Sequence, residues 1–175
     1  MKEYFDNLPT WSANDTDHIH ALASYVQVAG NQKKFVGQLK THLVNIVETA
    51  YGGGIYKRLM LVGEAGCGKS CFIRFLFDNG LAPYFFEGLG TDPNLFVLNI
   101  DNDYTKEEIK AFASELPHPV SFFGSTNDPD FWKSNNFWEE VWQIDSIDWG
   151  YNKNINNNKV WAQAKALALV EQNNG

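Results

Sequence analysis

The residues whose types and spacing could do chemistry lie together, in Gly63-Glu64-Ala65-Gly66-Cys67-Gly68-Lys69-Ser70. They fit the phosphate-binding pattern Gly-x-x-x-x-Gly-Lys-Ser at every fixed position. On this reading Gly63, Gly66 and Gly68 let the backbone take positive φ, so that successive amide N–H groups point inward at phosphate oxygens. Lys69 reaches the β and γ phosphates, and the Ser70 hydroxyl sits on a magnesium ion. The positive end of a helix starting near Lys69 adds its field, which carries the nucleotide-contacting set through Cys71. The plainer alternative is a glycine turn between a strand and a helix that binds nothing.

Two further residues join this set from strand ends. Asn94 to Ile100 is an apolar run of the kind found in parallel sheets covered on both faces, and it ends in Asp101. An acid there can hold the magnesium ion beside Ser70. It can equally be a helix-capping acid. Val120 to Gly124 reads as a third buried strand, with Ser125-Thr126-Asn127-Asp128 at its carboxyl end, where open α/β sheets bind ligands. From there Asn127 can bond a γ phosphate or an attacking water, or simply form a turn. A thiolate at Cys67 is conceivable beside Lys69, against the simpler reading of a small filler.

The elements that must position these residues are read from hydrophobic periodicity. Met1 to Ala13 reads as an extended aromatic arm, kept from helix by Pro9, with Tyr4, Phe5, Leu8 and Trp11 placed to dock. Ile19, Leu22, Ala23 and Val26 form a helical face that stops by Gly30. Asn31 caps a second helix with Phe35, Leu39, Leu43, Ile46 and Val47 on one stripe, ending before Gly52-Gly53-Gly54. His18 and His20 fall on different faces, which argues against a metal pair. Residues 1–52 are therefore an arm and helical appendage, and residues 53–175 the core, in one compact unit.

Within that core Leu59 to Val62 is the strand that enters the glycine-rich turn, and Phe72, Phe75 and Leu76 give the next helix a buried side. Tyr84 to Phe86 can be a short strand. Thr105 and Glu108 match a capping box ahead of Ile109, Phe112 and Leu116. Glu139 to Asp145 reads as another strand, and Lys159 to Glu171 as a closing helix with Trp161, Ala164, Leu167 and Ala168 inward. The expected fold is α/β, a mostly parallel sheet flanked by helices. The tryptophans of the last third, Trp132, Trp138, Trp142, Trp149 and Trp161, read as core or protein interface rather than as base-stacking groups.

Composition narrows the functional classes. The 175 residues are 44% hydrophobic, enough for one core and too few for two. A net charge of -7, with Arg58 and Arg74 as the only arginines, argues against autonomous nucleic-acid binding. No stretch suits a signal peptide or a membrane span, so a soluble cytoplasmic protein is expected, with Cys67 and Cys71 as reduced thiols.

Taken in order, Tyr4-Phe5-Asp6-Asn7-Leu8-Pro9-Thr10-Trp11, the glycine-rich loop, Leu98-Asn99-Ile100-Asp101, Phe123-Gly124-Ser125-Thr126-Asn127 and the tail Ile147-Asp148-Trp149 with Val160-Trp161-Ala162-Gln163-Ala164 resemble the virulence-associated E family. That family comprises P-loop ATPase domains of phage and mobile-element replication proteins, similar to superfamily-three helicases. The resemblance implies ATP and Mg²⁺ as ligands, Gly63 to Ser70 as the nucleotide loop, Asp101 as the metal-site acid and Asn127 as the γ-phosphate sensor.

The chain departs from the family at three places. Asn102 stands where a water-polarising Glu is usual, with Asp103 displaced by one residue. Leu116 to Val120 leaves no room for a basic DNA-contacting hairpin. Ser134-Asn135-Asn136-Phe137-Trp138 holds amides where the family has paired arginines. An arginine finger is worth a factor of about 10³ to 10⁵, so weak hydrolysis or none is expected. Three other readings stand beside this one: an active helicase-type subunit in an oligomer on DNA, a non-enzymatic protein that binds a full-length relative or another copy of itself, and a small-molecule kinase, whose lid would need arginines after residue 80 that the sequence lacks.

Overall fold

The computed structural model describes residues 1–55, 57–87, 97–100, 104–115, 121–128, 130 and 138–173. Among them run α1 (Lys2–Asp6), α2 (His18–Ala23), β1 (Val26–Val28), α3 (Gln32–Ala50), β2 (Arg58–Val62), α4 (Lys69–Phe77), a 3₁₀ turn (Asn79–Tyr84) and β3 (Phe85–Glu87). The rest are β4 (Val97–Ile100), α5 (Lys106–Glu115), β5 (Ser121–Thr126), β6 (Glu140–Ile147), α6 (Tyr151–Asn154) and α7 (Asn157–Asn173). The strands form one mixed sheet in the order β1-β6-β2-β5-β4-β3. Pairings are parallel except that of β1 with β6. The α/β class expected from the pattern is present.

The strand order places the loop. From β2 the chain crosses to the far edge at β3, returns through β4 to β5 beside β2, and then passes to β6 on β2's other side. The winding direction thus reverses at β2, and the carboxyl end of a strand at such a point opens a crevice. Gly63 comes directly after that strand.

One sheet face carries Leu59, Leu61, Phe123, Trp142 and Ile144 into the main core, with α1, α2, α3, α4 and α7. Phe35 of α3 meets Trp142 edge-on at 5.5 Å, and His42 meets Phe123 at 5.0 Å. The other face carries Met60, Phe122 and Trp138, buried outside that cluster. The connection β4–α5–β5 runs opposite in direction to β2–α4–β3, so right-handed crossovers put α5 there, with Ile109 fully buried.

Several local expectations hold. Asn31 Oδ1 accepts from Lys34 N at 2.9 Å, and all five stripe residues of α3 are buried. Thr105 N donates to Glu108 Oε2 at 2.7 Å while Glu108 N donates to Thr105 Oγ1 at 3.2 Å, a reciprocal capping box. Trp161, Ala164 and Ala168 point inward from α7.

Others need correction. The N-terminal arm is not wholly extended: Lys2–Asp6 makes one helical turn, ended before Pro9, because Phe5 buries itself 5.6 Å from Trp161. Val26 does not continue a helix. It starts β1, a strand inside residues 1–52 that pairs with β6, so this stretch supplies a sheet edge as well as helices. Finally, β5 runs on through Ser125 and Thr126, leaving Asn127 as the first residue beyond it.

His42 generates a testable consequence. Burial, helped by the nearby Lys57 charge, pushes its pKa down to about 3, and neither ring nitrogen has a partner among the described residues. The unfolded chain takes up this proton near 6.5, the folded chain only near 3, so stability at this group is full above 6.5 and falls as pH drops through that window. The slope approaches about 1.4 kcal/mol per pH unit. Urea midpoints of wild type and His42→Phe measured from pH 7 to pH 4 should diverge, the wild type losing more.

Candidate functional site

The site begins where β2 stops. Gly63 N donates to Thr126 O at 3.2 Å, extending the β2–β5 ladder by one bond before the chain turns away. A Cβ on Gly63 would stand 2.7 Å from the Ile144 carbonyl oxygen of β6, so only glycine fits. This corrects the expected reason for that glycine: its role is close approach to a neighbouring strand. Gly66 and Gly68 do take positive φ, +79° and +99°, and Gly68 is the left-handed N-cap of α4.

This geometry leaves the start of α4 open. A helix's first N–H groups lack main-chain acceptors, and here no described side chain caps them. Lys69 comes next, only 5% exposed. Its Nζ donates to Gly63 O at 2.9 Å, Glu64 O at 2.8 Å and Asn127 Oδ1 at 3.1 Å, with Cys67 Sγ at 3.4 Å. The ammonium is thus folded back onto its own loop. Among the described residues none of its partners is a carboxylate; the salt bridge of Arg58 with Glu139 lies elsewhere.

Asn127 therefore meets Lys69 across the crevice, at the strand end where the sheet topology predicts a ligand. Ser125, two residues earlier and near the end of β5, is a site residue that sequence reasoning missed. Its Oγ lies 3.0 Å from Ser70 Oγ. The two-residue spacing from Asn127 is the signal that could have found it.

Gly66, Gly68, Lys69, Ser70, Cys71, Asn127 and Trp149 line an open hollow of about 230 Å³. Glu64 and Ala65 stand exposed on the outer turn of the loop, away from this lining. Cys67 and Cys71 are free thiols. Trp149, expected in core or interface, is half exposed at the rim of the hollow. Asp101, Asn102 and Asp103, the short connection 116–120, and residues 134–137 lie outside the described residues, and with them the proposed metal-site acid and the sites of the missing Glu and arginines. Trp138, at the end of that last segment, is buried.

Distant residues fix α4. Asn157 Nδ2 donates to Phe75 O at 2.5 Å and Trp161 Nε1 to Leu76 O at 2.6 Å, so α7 satisfies the last carbonyls of the helix whose first amides face the hollow. No family model and no curated protein matches this sequence.

Packing at Gly63 can be tested separately from ligand binding. Gly63→Ala must displace β6 backbone, which should cost about 1–3 kcal/mol of unfolding free energy. Gly37→Ala, where an added Cβ meets nothing within 4 Å inside α3, should instead gain about 0.5–1 kcal/mol. Urea denaturation of the two variants beside wild type checks both signs.

Proposed function

We propose that this protein binds a nucleoside triphosphate with magnesium at the Gly63–Ser70 loop, as a P-loop protein with weak or no hydrolysis. The observation that carries the reading is the Lys69 ammonium: nearly buried, beside the N-terminus of a nine-residue helix that no described side chain caps, and answered among the described residues by neutral groups. Two positive features converge on a hollow whose described lining holds no carboxylate. An anion is the ligand that such a field favours.

The residues fit the group. Open main-chain amides and Lys69 can hold phosphate oxygens, and the Ser70 hydroxyl, now bonded to Ser125, is the described oxygen ligand available to magnesium. When bound, that ion would neutralise phosphate charge. Lys69 has three N–H donors and four close acceptors, so an arriving phosphate replaces bonds to the loop. Asn127, touching Lys69, would then lie beside the terminal phosphate.

ATP rather than GTP rests on the resemblance to virulence-associated E ATPases. Weak hydrolysis rests on Asn102 and on the amides Asn135 and Asn136. Membership of the P-loop NTPase fold is supported by the loop's position after β2, where the sheet reverses direction.

Calorimetric titration with ATP and magnesium is the test. Binding is expected, and Lys69→Ala should weaken it roughly 10- to 100-fold, the worth of a charge-assisted hydrogen bond. Equal affinity in that variant, or no binding by the wild type, would overturn the reading. Turnover of tens per second by the isolated protein would overturn weak hydrolysis alone.

A further inference from the structure

We infer that the Trp149 indole is the platform on which the nucleobase of the bound triphosphate stacks. The inference rests on the nucleotide reading above and adds to it where the base lies and what holds it.

The hollow is lined by two chemically different kinds of group. Lys69, Ser70 and Asn127 bring charge and hydrogen-bonding groups. Trp149 brings an aromatic surface, packed over Gly68: a Cβ there would meet its Cζ2 at 3.5 Å and Cε2 at 3.6 Å. A nucleotide combines the same two chemistries, an anionic tail and a flat apolar-faced ring.

Exposure and rigidity support a platform. Trp149 is 51% exposed, while Trp138, Trp142 and Trp161 are 8% or less. Its indole is nonetheless held in place. It stacks on Tyr151 with the ring planes 21° apart and centroids at 6.4 Å. Asp148 N donates to Tyr25 O at 2.8 Å, and Asp148 Oδ1 accepts from Gly150 N at 2.8 Å, fixing the backbone on both sides. Tyr151 itself is fully buried, against Phe72 and Phe75 of α4. A large aromatic face is thus presented toward solvent on a rigid support, next to the loop, at little entropic cost to a ligand that covers it.

Comparing ATP with inorganic tripolyphosphate, each with magnesium, isolates the base. Trp149→Ala should weaken ATP roughly 5- to 100-fold, the range of base–aromatic stacking, and leave tripolyphosphate unchanged. Trp149→Phe, which keeps an aromatic face and guards against a misfolded alanine variant, should retain most of the ATP affinity. If ATP is unaffected by Trp149→Ala, or if both ligands weaken together, the platform is wrong while the phosphate site stands. If wild type binds neither ligand, the nucleotide reading fails and the platform falls with it.

Discussion

A cation withdrawn from water and met by no anion among the described residues is the constraint from which the rest of this structure is best understood. Burying a charge is costly unless hydrogen bonds replace its hydration. Lys69 meets that cost with the carbonyls of Gly63 and Glu64 and the amide oxygen of Asn127, all dipoles and none charged. Those oxygens are available only because the loop curls tightly at Gly66 and Gly68 and because β5 ends one residue before Asn127. The arrangement satisfies the donors without a carboxylate among the described residues.

The rest of the chain holds that arrangement still. Gly63 is pressed against β6 at Ile144, so the loop cannot shift without moving a strand. Asn157 and Trp161 fasten the far end of α4, and Trp161 is itself packed by Phe5 and Phe77. Gln163 of the same helix accepts from Ile19 N and donates to Asp17, the N-cap of α2. The aromatic N-terminus thus meets the aromatic tail at Trp161, which in turn bonds the helix that carries Lys69.

Much of this was legible in the sequence because it is written at short range. The loop, the caps at Asn31 and Thr105 and the stripe of α3 are all patterns within a few residues. The features that escaped depend on partners far along the chain. The steric demand on Gly63 comes from Ile144, and nothing near Gly63 in sequence distinguishes it from a glycine needed for positive φ. The helical turn at Lys2–Asp6 is stabilised by burying Phe5 against Trp161, which outweighs the extended bias that Pro9 suggests. Val26-Gln27-Val28 alternates like a strand, but three residues after a clear helical face are too few to announce one.

That short strand changes how residues 1–52 relate to the candidate site. β1 pairs with the outer half of β6, and the register slips between Gln27 and Val28, so β6 carries an extra residue there. A bulge of this kind turns a strand and re-aims the residues beyond it. It lets both Ile144 and Ile147 face the core, and Trp149 emerges two residues later at the rim. Tyr25 then receives the Asp148 amide on its carbonyl and the Asn154 side chain on its hydroxyl, bracketing the tryptophan. The N-terminal segment, which contributes no residue to the described lining of the hollow, therefore orients one of its walls through main-chain contacts, and the two parts of the chain act on the hollow as one structure.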